Sequence, residues 1–292
     1  MQDKFLGMTP PLGWNSWNTF TWNINDQLIR ESADAMVESG LKDAGYEYVV
    51  IDDCWSLKQR DEKGYLVPDP EKFPQGMKAV GGVGNGIFEC VQELVGYESL
   101  CYLRMDDPEL YADIFRKVGQ TNLQIWTRFL ETYGDIFCVC RFGDDLGFKS
   151  NTLLIADDIR QLVIPAYRAI IDQVHLAGKP FLLHSCGCIF EVMDDLIRDA
   201  GIDAKHSNED VIAPFPVWVE RYGDRIGNFG GIDTDAVCRL DGKEMERYIE
   251  DVVRKSRGHG GFAFGSGNSI PNYVPVDQFR KMNRIIREIR GE

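Results

Sequence analysis

The sequence lacks long apolar runs, and it carries fewer basic than acidic residues. No stretch approaches the roughly 18 consecutive apolar residues that cross a bilayer. Lysine and arginine number 32 and aspartate and glutamate 46, so the formal net charge is −14. Because that charge repels phosphate backbones and anionic lipid, we expect neither a nucleic-acid partner nor a membrane partner. The first residues also lack the basic segment and apolar run of a signal peptide, so we expect a cytoplasmic protein.

Several motifs that would settle the class of protein are also missing. No Gly-rich phosphate loop follows the first candidate strand, which argues against an open dinucleotide-binding sheet. No tandem repeat is present, and no serine or cysteine occurs in a nucleophile-elbow motif. The eight cysteines need no disulfide framework in a chain of 292 residues without a signal peptide. With 44% hydrophobic residues, the chain can bury the large core of a globular protein.

Short apolar runs alternate with amphipathic helical patterns along the whole chain. The segment 25–40 is one such helix, with Asn25 as its N-cap and Gly40 at its end. Eight runs read as strands: 11–14, 46–52, 78–83, 135–140, 179–185, 202–207, 226–233 and 261–267. Parallel strands need crossover helices, so this alternation predicts the α/β class and a closed (β/α)₈ TIM barrel, with residues 1–292 as one domain.

In such a barrel the chemistry lies at the carboxyl ends of the strands. The polar and aromatic residues that follow the predicted strands are Trp17, Asp52, Asp53, Trp55, Asp144, Asp145, His184, Cys186, His206, Glu209, Asp210, Asp233 and Asn268. Carboxylates after four strands point to a polyol or metal site. Aspartates at these positions are also good helix N-caps, so a purely structural role stays open.

Residues 8–78 resemble the melibiase (alpha-galactosidase) family of glycoside hydrolases. The resemblance rests on TPPLGWNSWNTF, ESADAMVESGLKDAGYEYVVIDDCW and RDEKGYLVPDPEKFPQGMKAV. It implies that Trp17, Asp52 and Asp53 line a galactose subsite. Carboxylates accept hydrogen bonds from sugar hydroxyls, and an indole packs on the apolar face of a pyranose.

From about residue 79 the chain is similar to the uroporphyrinogen decarboxylase superfamily, which includes cobalamin-linked methyltransferases. The motifs are GNGIFECVQELVGYESL, FGDDLGFKSNTLL, GKPFLLHSCG, GIDAKHSNED, RYGDRIGNFGGID and GSGNSIPNYVP. The amino-terminal part expected of that superfamily is replaced by the melibiase-like segment. We therefore interpret the chain as a chimera, natural or engineered, with segments 1–78 and 79–292 joined near residues 77–82.

The first functional hypothesis is alpha-galactoside hydrolysis by paired carboxylates, with a small sugar as substrate and no cofactor. Strand order would supply Asp144 or Asp145 as nucleophile and Glu209 or Asp210 as general acid/base. The remaining substrate-binding candidates are Trp55, His206, Asp233 and Asn268. The family's own catalytic motifs are missing from the chain, so this assignment rests on strand order alone.

The second hypothesis is a zinc-dependent methyltransferase or decarboxylase. In the methyltransferase branch a His-x-Cys pair and a later cysteine hold zinc, and His184 and Cys186 match the pair. Asn268 stands near the position of the later cysteine, and an amide oxygen is a poor zinc ligand. A carboxylate or Cys188 would have to complete the site. A third hypothesis is a folded barrel without catalysis, and a homo-oligomer is compatible with all three.

Overall fold

The computed structural model describes residues 12–41, 46–51, 54–62, 67–74, 82–134, 137, 139–257, 259–271 and 273–290. Its strands are β1 (Leu12–Asn15), β2 (Tyr46–Val50), β3 (Cys140–Gly143), β4 (Phe181–His184), β5 (Ala204–His206), β6 (Gly227–Ile232) and β7 (Phe262–Ser266). Its helices are α1 (Trp17–Phe20), α2 (Asp26–Glu38), α3 (Ile87–Val95), α4 (Tyr97–Asp106), α5 (Pro108–Tyr133), α6 (Ala156–Asp158), α7 (Ile164–Leu176), α8 (Met193–Asp195), α9 (Phe215–Tyr222), α10 (Thr234–Arg239), α11 (Gly242–Ser256) and α12 (Val276–Arg290). Two π-helical turns, Ile159–Val163 and Leu196–Ala200, follow α6 and α8.

The described strands form two sheets. Strands β1 and β2 pair in parallel, and the other five lie in the order β3-β4-β5-β6-β7. The pairings β3–β4, β4–β5 and β5–β6 are all parallel. In this register Gly143 lies opposite His184, and His184 lies opposite His206. Neighbouring parallel strands therefore end side by side at one edge.

The chain divides into two compact units. The first unit comprises 1–80, 231–257 and 264–292, and the second unit comprises 81–230 and 258–263. The core of the second unit is aromatic: Trp126 of α5 meets Phe142 of β3 and Phe181 of β4 edge to face. In the first unit, Ile232, Met245 and Met282 are fully buried in the apolar core formed with α11 and α12.

The α/β class with parallel sheets is confirmed, and so is the predicted helix 25–40. The Asn25 side chain accepts a hydrogen bond from Leu28 N at 2.8 Å, and Gly40 has a left-handed φ of 78° just beyond α2. Closure into an eight-stranded barrel and the single-domain assignment stay predictions. Most of the predicted strand 78–83 lies outside the described residues.

One strand boundary was wrong. Of the predicted strand 135–140, residues 135, 136 and 138 lie outside the described residues, Phe137 is not in a strand, and the observed β3 runs from Cys140 to Gly143. Helix α5 occupies the chain up to Tyr133, and the buried alternation begins at Cys140 and continues with Phe142. Phe137 is also buried, but its carbonyl binds the Lys179 ammonium instead of a neighbouring strand. A buried aromatic just before the strand therefore extended the apolar pattern too early.

None of the described helices combines the length and the apolar character that a bilayer crossing requires.

Candidate metal centre

Three potential metal ligands converge within the second unit. One ligand atom from each of Asp145, His184 and Cys186 lies within 4.8 Å of the other two. The sulfur of Cys186 is 3.5 Å from Nε2 of His184. All three side chains are half-buried. They are the one group of this kind in the part of the chain that the structure describes.

Strand register brings the ligands together. Asp144 N donates to the His184 carbonyl at 2.9 Å, which continues the β3–β4 ladder past the end of β3. Beyond it, Cys186 N donates to Asp145 Oδ1 at 2.8 Å, and Leu146 N donates to the Ser185 hydroxyl at 3.1 Å. The loops after β3 and β4 therefore hold each other through backbone and side-chain hydrogen bonds.

The same two loops touch at a pair of glycines. Gly187 has φ 83°, and a Cβ atom built on it would overlap the backbone of Gly147. A Cβ on Gly147 would lie 2.6 Å from Cys188 N, and Cys188 N donates to the Phe148 carbonyl at 2.6 Å. Only glycine allows this approach, because any side chain would push the loops apart.

The next strand supplies a second histidine. Nδ1 of His206 lies 2.7 Å from Nδ1 of His184, and the two rings are 4.9 Å apart between centroids. Burial, the His206 ring and the cations Arg141 and Lys205 hold the pKa of His184 well below its usual value. His184 is therefore neutral at pH 7, the form that binds metals.

Strand β5 and the residue that follows it also bring an ammonium and a hydroxyl to the site. The Ser207 hydroxyl donates to Cys186 Sγ at 3.3 Å. The Lys205 ammonium donates to the Ser207 carbonyl and lies 4.0 Å from the centroid of the Trp218 ring. Burial lowers the pKa of Lys205 to about 8. Sequence reasoning missed Lys205 and Ser207; a lysine inside a short buried strand was the available signal.

Asp144 points away from this cluster toward the beginning of α3. Its carboxylate accepts hydrogen bonds from Phe88 N at 2.9 Å, Glu89 N at 2.7 Å and the Tyr167 hydroxyl at 2.6 Å. Burial raises the pKa of Asp144 to about 6, and these hydrogen bonds oppose the rise. Burial and the charges of Asp144 and Asp145 raise the pKa of Glu89 to about 7. The position of Asp144 matches that of a carboxylate at a helix N-terminus, where the orphan N–H groups favour an anion.

The strand-β5 acids occupy a different environment. Glu209 forms an ion pair with Lys149, which connects the loop after β5 to the loop after β3. Asp210 is half-buried one residue farther along. Glu209 is close enough to Lys205 to favour its charged form. Of the four carboxylates predicted to be catalytic, Asp145 is the one within the three-ligand group.

The candidates of the first unit have local partners. Asp233 is the N-cap of α10 and accepts hydrogen bonds from Asp235 N and Ala236 N. Asn268 Oδ1 accepts a hydrogen bond from Ser269 N, and the Trp55 carbonyl accepts one from Asp69 N. Asp52, Asp53 and the side chain of Trp17 lie outside the described residues. Their substrate-binding roles stay predictions.

The donor set fits zinc. Imidazole nitrogen, thiolate sulfur and carboxylate oxygen are all zinc ligands, and three protein ligands are typical of catalytic zinc sites. Zinc-bound histidine characteristically donates its other ring N–H to an acceptor, and His206 stands at that position. The carboxylate of Asp145 thus completes a set that His184 and Cys186 begin.

Two family models match the chain. Residues 71–289, well over half of the chain, match the model described as uroporphyrinogen decarboxylase (URO-D). Residues 9–94 match the model described as alpha galactosidase A. The two matches overlap at residues 71–94, where the predicted junction at 77–82 also lies.

The curated relatives include several alpha-galactosidases. Alpha-galactosidase A of Cellvibrio japonicus is 56% identical over 215 residues, 73% of this chain and 46% of that protein. Alpha-galactosidase of Oryza sativa subsp. japonica is 37% identical over 165 residues, 48% of this chain and 39% of that protein. The chain thus spans less than half the length of these relatives.

Solved structures with a similar fold come from both groups. A methyltransferase from Methanosarcina mazei has a TM-score of 0.57 at 18% identity, covering 76% of this chain and 61% of that one. Alpha-galactosidase I from Mortierella vinacea has a TM-score of 0.51 at 18% identity, covering 98% of this chain and 73% of that one. At this identity the likeness concerns the fold alone.

Proposed function

The chain belongs to the uroporphyrinogen decarboxylase family, and from this premise we propose that it transfers an alkyl group to a thiol substrate at a zinc site. The observation that carries the proposal is the convergence of Asp145, His184 and Cys186 within 4.8 Å. Zinc, when bound, favours the thiolate form of a thiol substrate at neutral pH. The thiolate, rather than the thiol, is the nucleophile in such a transfer.

The protein's own residues prepare this site. Neutral His184 offers Nε2, the ring nitrogen that faces Cys186. Asp145 is held in place because one of its carboxylate oxygens accepts the Cys186 N–H. The close contact of Gly147 with Gly187 fixes the distance between the two ligand-bearing loops. The ligand atoms are therefore held in place by contacts between the two loops.

Metal analysis combined with a methyl-transfer assay tests this proposal. The assay supplies a thiol as acceptor and methylcobalamin as methyl donor. In each turnover the thiol would lose one proton and gain the methyl group, and the corrinoid would leave with the electron pair of the broken carbon–cobalt bond. We expect one equivalent of zinc in the full chain, and its loss, with activity, in His184→Ala and Cys186→Ala. Cys188→Ser is the matched control, since Cys188 lies outside the ligand group. A zinc content unaffected by Cys186→Ala would contradict the site.

Alpha-galactoside hydrolysis is a second candidate, favoured by the match of residues 9–94 to alpha galactosidase A. In this reading Trp17, Asp52 and Asp53 bind the sugar. Asp145 and a β5 acid, Glu209 or Asp210, would form the carboxylate pair, because Asp144 is engaged by α3 and Tyr167. The substrate would be a small molecule with a terminal alpha-galactosyl group.

A nitrophenyl alpha-galactoside assay distinguishes the two candidates. Hydrolysis that survives a chelator and falls about 10²–10⁴-fold in Glu209→Gln or Asp210→Asn would support the carboxylate mechanism. Methyl transfer that the chelator abolishes, without hydrolysis, would support the zinc mechanism. Absence of both activities would favour the non-catalytic chimera.

A further inference from the structure

Two consecutive residues at the end of β5 contact the two ligands of the β4 loop. His206 meets the ring of His184, and Ser207 meets the sulfur of Cys186. We propose that His206 and Ser207 are positioning residues that set the ligand properties of His184 and Cys186. The inference rests on the proposed zinc site and adds the residues that tune it.

The His206 ring selects the tautomer of His184. The two Nδ1 atoms are 2.7 Å apart, so one must carry a proton and the other must accept it. Nε2 of His184 faces Cys186 Sγ at 3.5 Å and is the ligand atom. His184 therefore carries its proton on Nδ1 and donates it to His206. An acceptor at this position holds the ring plane and makes Nε2 a stronger ligand.

The Ser207 hydroxyl acts on the sulfur. Ser207 is 2% exposed, and its hydroxyl donates to Cys186 Sγ at 3.3 Å. A hydrogen bond to a thiolate withdraws electron density from sulfur, which lowers the energy of its donor orbital. The sulfur then gives less charge to a bound metal.

Lys205 anchors this hydroxyl. Its ammonium donates to the carbonyl of Ser207, while the side chain lies buried against the Trp218 ring. Because this hydrogen bond holds the backbone of Ser207, its hydroxyl keeps a fixed position relative to Cys186. The hydrogen bond is thus built into the strand end.

Cobalt(II) loaded into the full chain provides a spectroscopic test. A Cys186 ligand gives a near-ultraviolet sulfur-to-cobalt charge-transfer band, whose energy reports the electron density on sulfur. We expect Ser207→Ala to move this band to lower energy and Ser207→Thr, which keeps the hydroxyl, to restore it. Ser207→Val has the shape of threonine without the hydroxyl. The Thr and Val variants therefore decide the question if the alanine variant fails to fold.

Metal affinity tests the histidine. We expect His206→Phe to weaken cobalt binding about 10–100-fold, and His206→Asn, which can place an acceptor oxygen near the position of Nδ1, to recover most of it. Equal weakening in both variants would overturn the role of His206.

The wild-type spectrum distinguishes the metal site itself from the effect of Ser207 on it. A wild-type protein without a sulfur-to-cobalt band would overturn the metal site and this inference with it. A wild-type band that neither Ser207→Ala nor Ser207→Val moves would overturn the role of Ser207 alone and leave the zinc proposal standing.

Discussion

The carboxylate of Asp144 and the hydroxyl of Tyr167 form a 2.6 Å hydrogen bond between two fully buried side chains. Tyr167 lies on α7, and the other donors to this carboxylate come from the first turn of α3. One carboxylate thus joins the end of β3 to two helices that are far from it in sequence. Asp144 therefore has a structural role, although it follows a strand end, where catalytic residues are expected.

We expect Asp144→Asn to lower the free energy of unfolding by about 2–3 kcal/mol, because an amide group would face N–H donors that need an acceptor. Tyr167→Phe should cost about 1 kcal/mol through the loss of one hydrogen bond. Urea unfolding midpoints measure both. Asp145→Asn is the matched control and should change stability less, since Asp145 is half-buried. If Asp144→Asn unfolds at the wild-type urea concentration, the carboxylate does not have this structural role.

Gly187→Ala should destabilise the protein by more than the backbone strain alone. A left-handed φ costs a non-glycine residue about 1–2 kcal/mol, and here the new methyl group would also overlap the Gly147 backbone. Gly178→Ala is the control, because Gly178 has φ 73° with no atom within 4 Å of its added Cβ. The difference between the two variants in urea midpoint isolates the loop contact. An equal loss of stability in Gly187→Ala and Gly178→Ala would show that the two loops can separate without a cost in free energy.

Removal of zinc from the proposed site should lower the thermal midpoint of the zinc-loaded wild-type chain. A ligand that binds the folded state at 100 times its Kd adds about 2.7 kcal/mol of stability. We expect this gain to vanish in Cys186→Ala and to persist in Cys188→Ala. Scanning calorimetry with and without chelator measures the shift. A gain that persists in Cys186→Ala would place the metal elsewhere.

Tyr111 should make stability fall at high pH. Burial and the nearby carboxylate of Asp158, to which its hydroxyl donates at 3.0 Å, raise the pKa of Tyr111 above its usual value of 10. The folded state therefore favours the neutral phenol. The stabilisation by Tyr111 is fully present below pH 10, the pKa of a tyrosine in the unfolded chain. It is lost as the pH rises toward the higher pKa of Tyr111 in the folded state.

The variant Tyr111→Phe checks this sign. Its free energy of unfolding should be about 1 kcal/mol lower than that of wild type at pH 8. This difference in stability should become smaller above pH 10. Tyr102→Phe is the control for removal of a phenol hydroxyl, since Tyr102 is 63% exposed. A stability difference that grows above pH 10 would show that folding lowers the pKa of Tyr111 instead of raising it.

The sequence predicted features that depend on neighbours in the chain. The helix α2 was found because Asn25 caps it within one turn, and the pair His184 and Cys186 because both stand at the end of one strand. The role of Asp145 was harder to predict. Strand order placed it at the correct edge of the sheet, but its position beside Cys186 depends on the contact between two loops. Ser207 carried no sequence signal, because a serine hydroxyl aimed at sulfur resembles any other serine.

Long-range packing explains why the remaining features of the site could not be predicted from the sequence. Asp144 and Asp145 are adjacent in sequence, and nothing in the local pattern shows that one faces a helix N-terminus while the other lies beside His184 and Cys186. Only the position of α3 against β3 separates their environments.

The contact between Gly147 and Gly187 has a consequence for protein engineering. At these two glycines the loops after β3 and β4 meet backbone to backbone, so no side chain is present there that could adjust to a new neighbour. A graft that replaces one loop with a segment bearing a side chain at either glycine would collide with the loop left behind. The two loops should therefore be transplanted between scaffolds as a single cassette, residues 143–152 together with 184–189, and a library that shuffles them independently should yield few folded members.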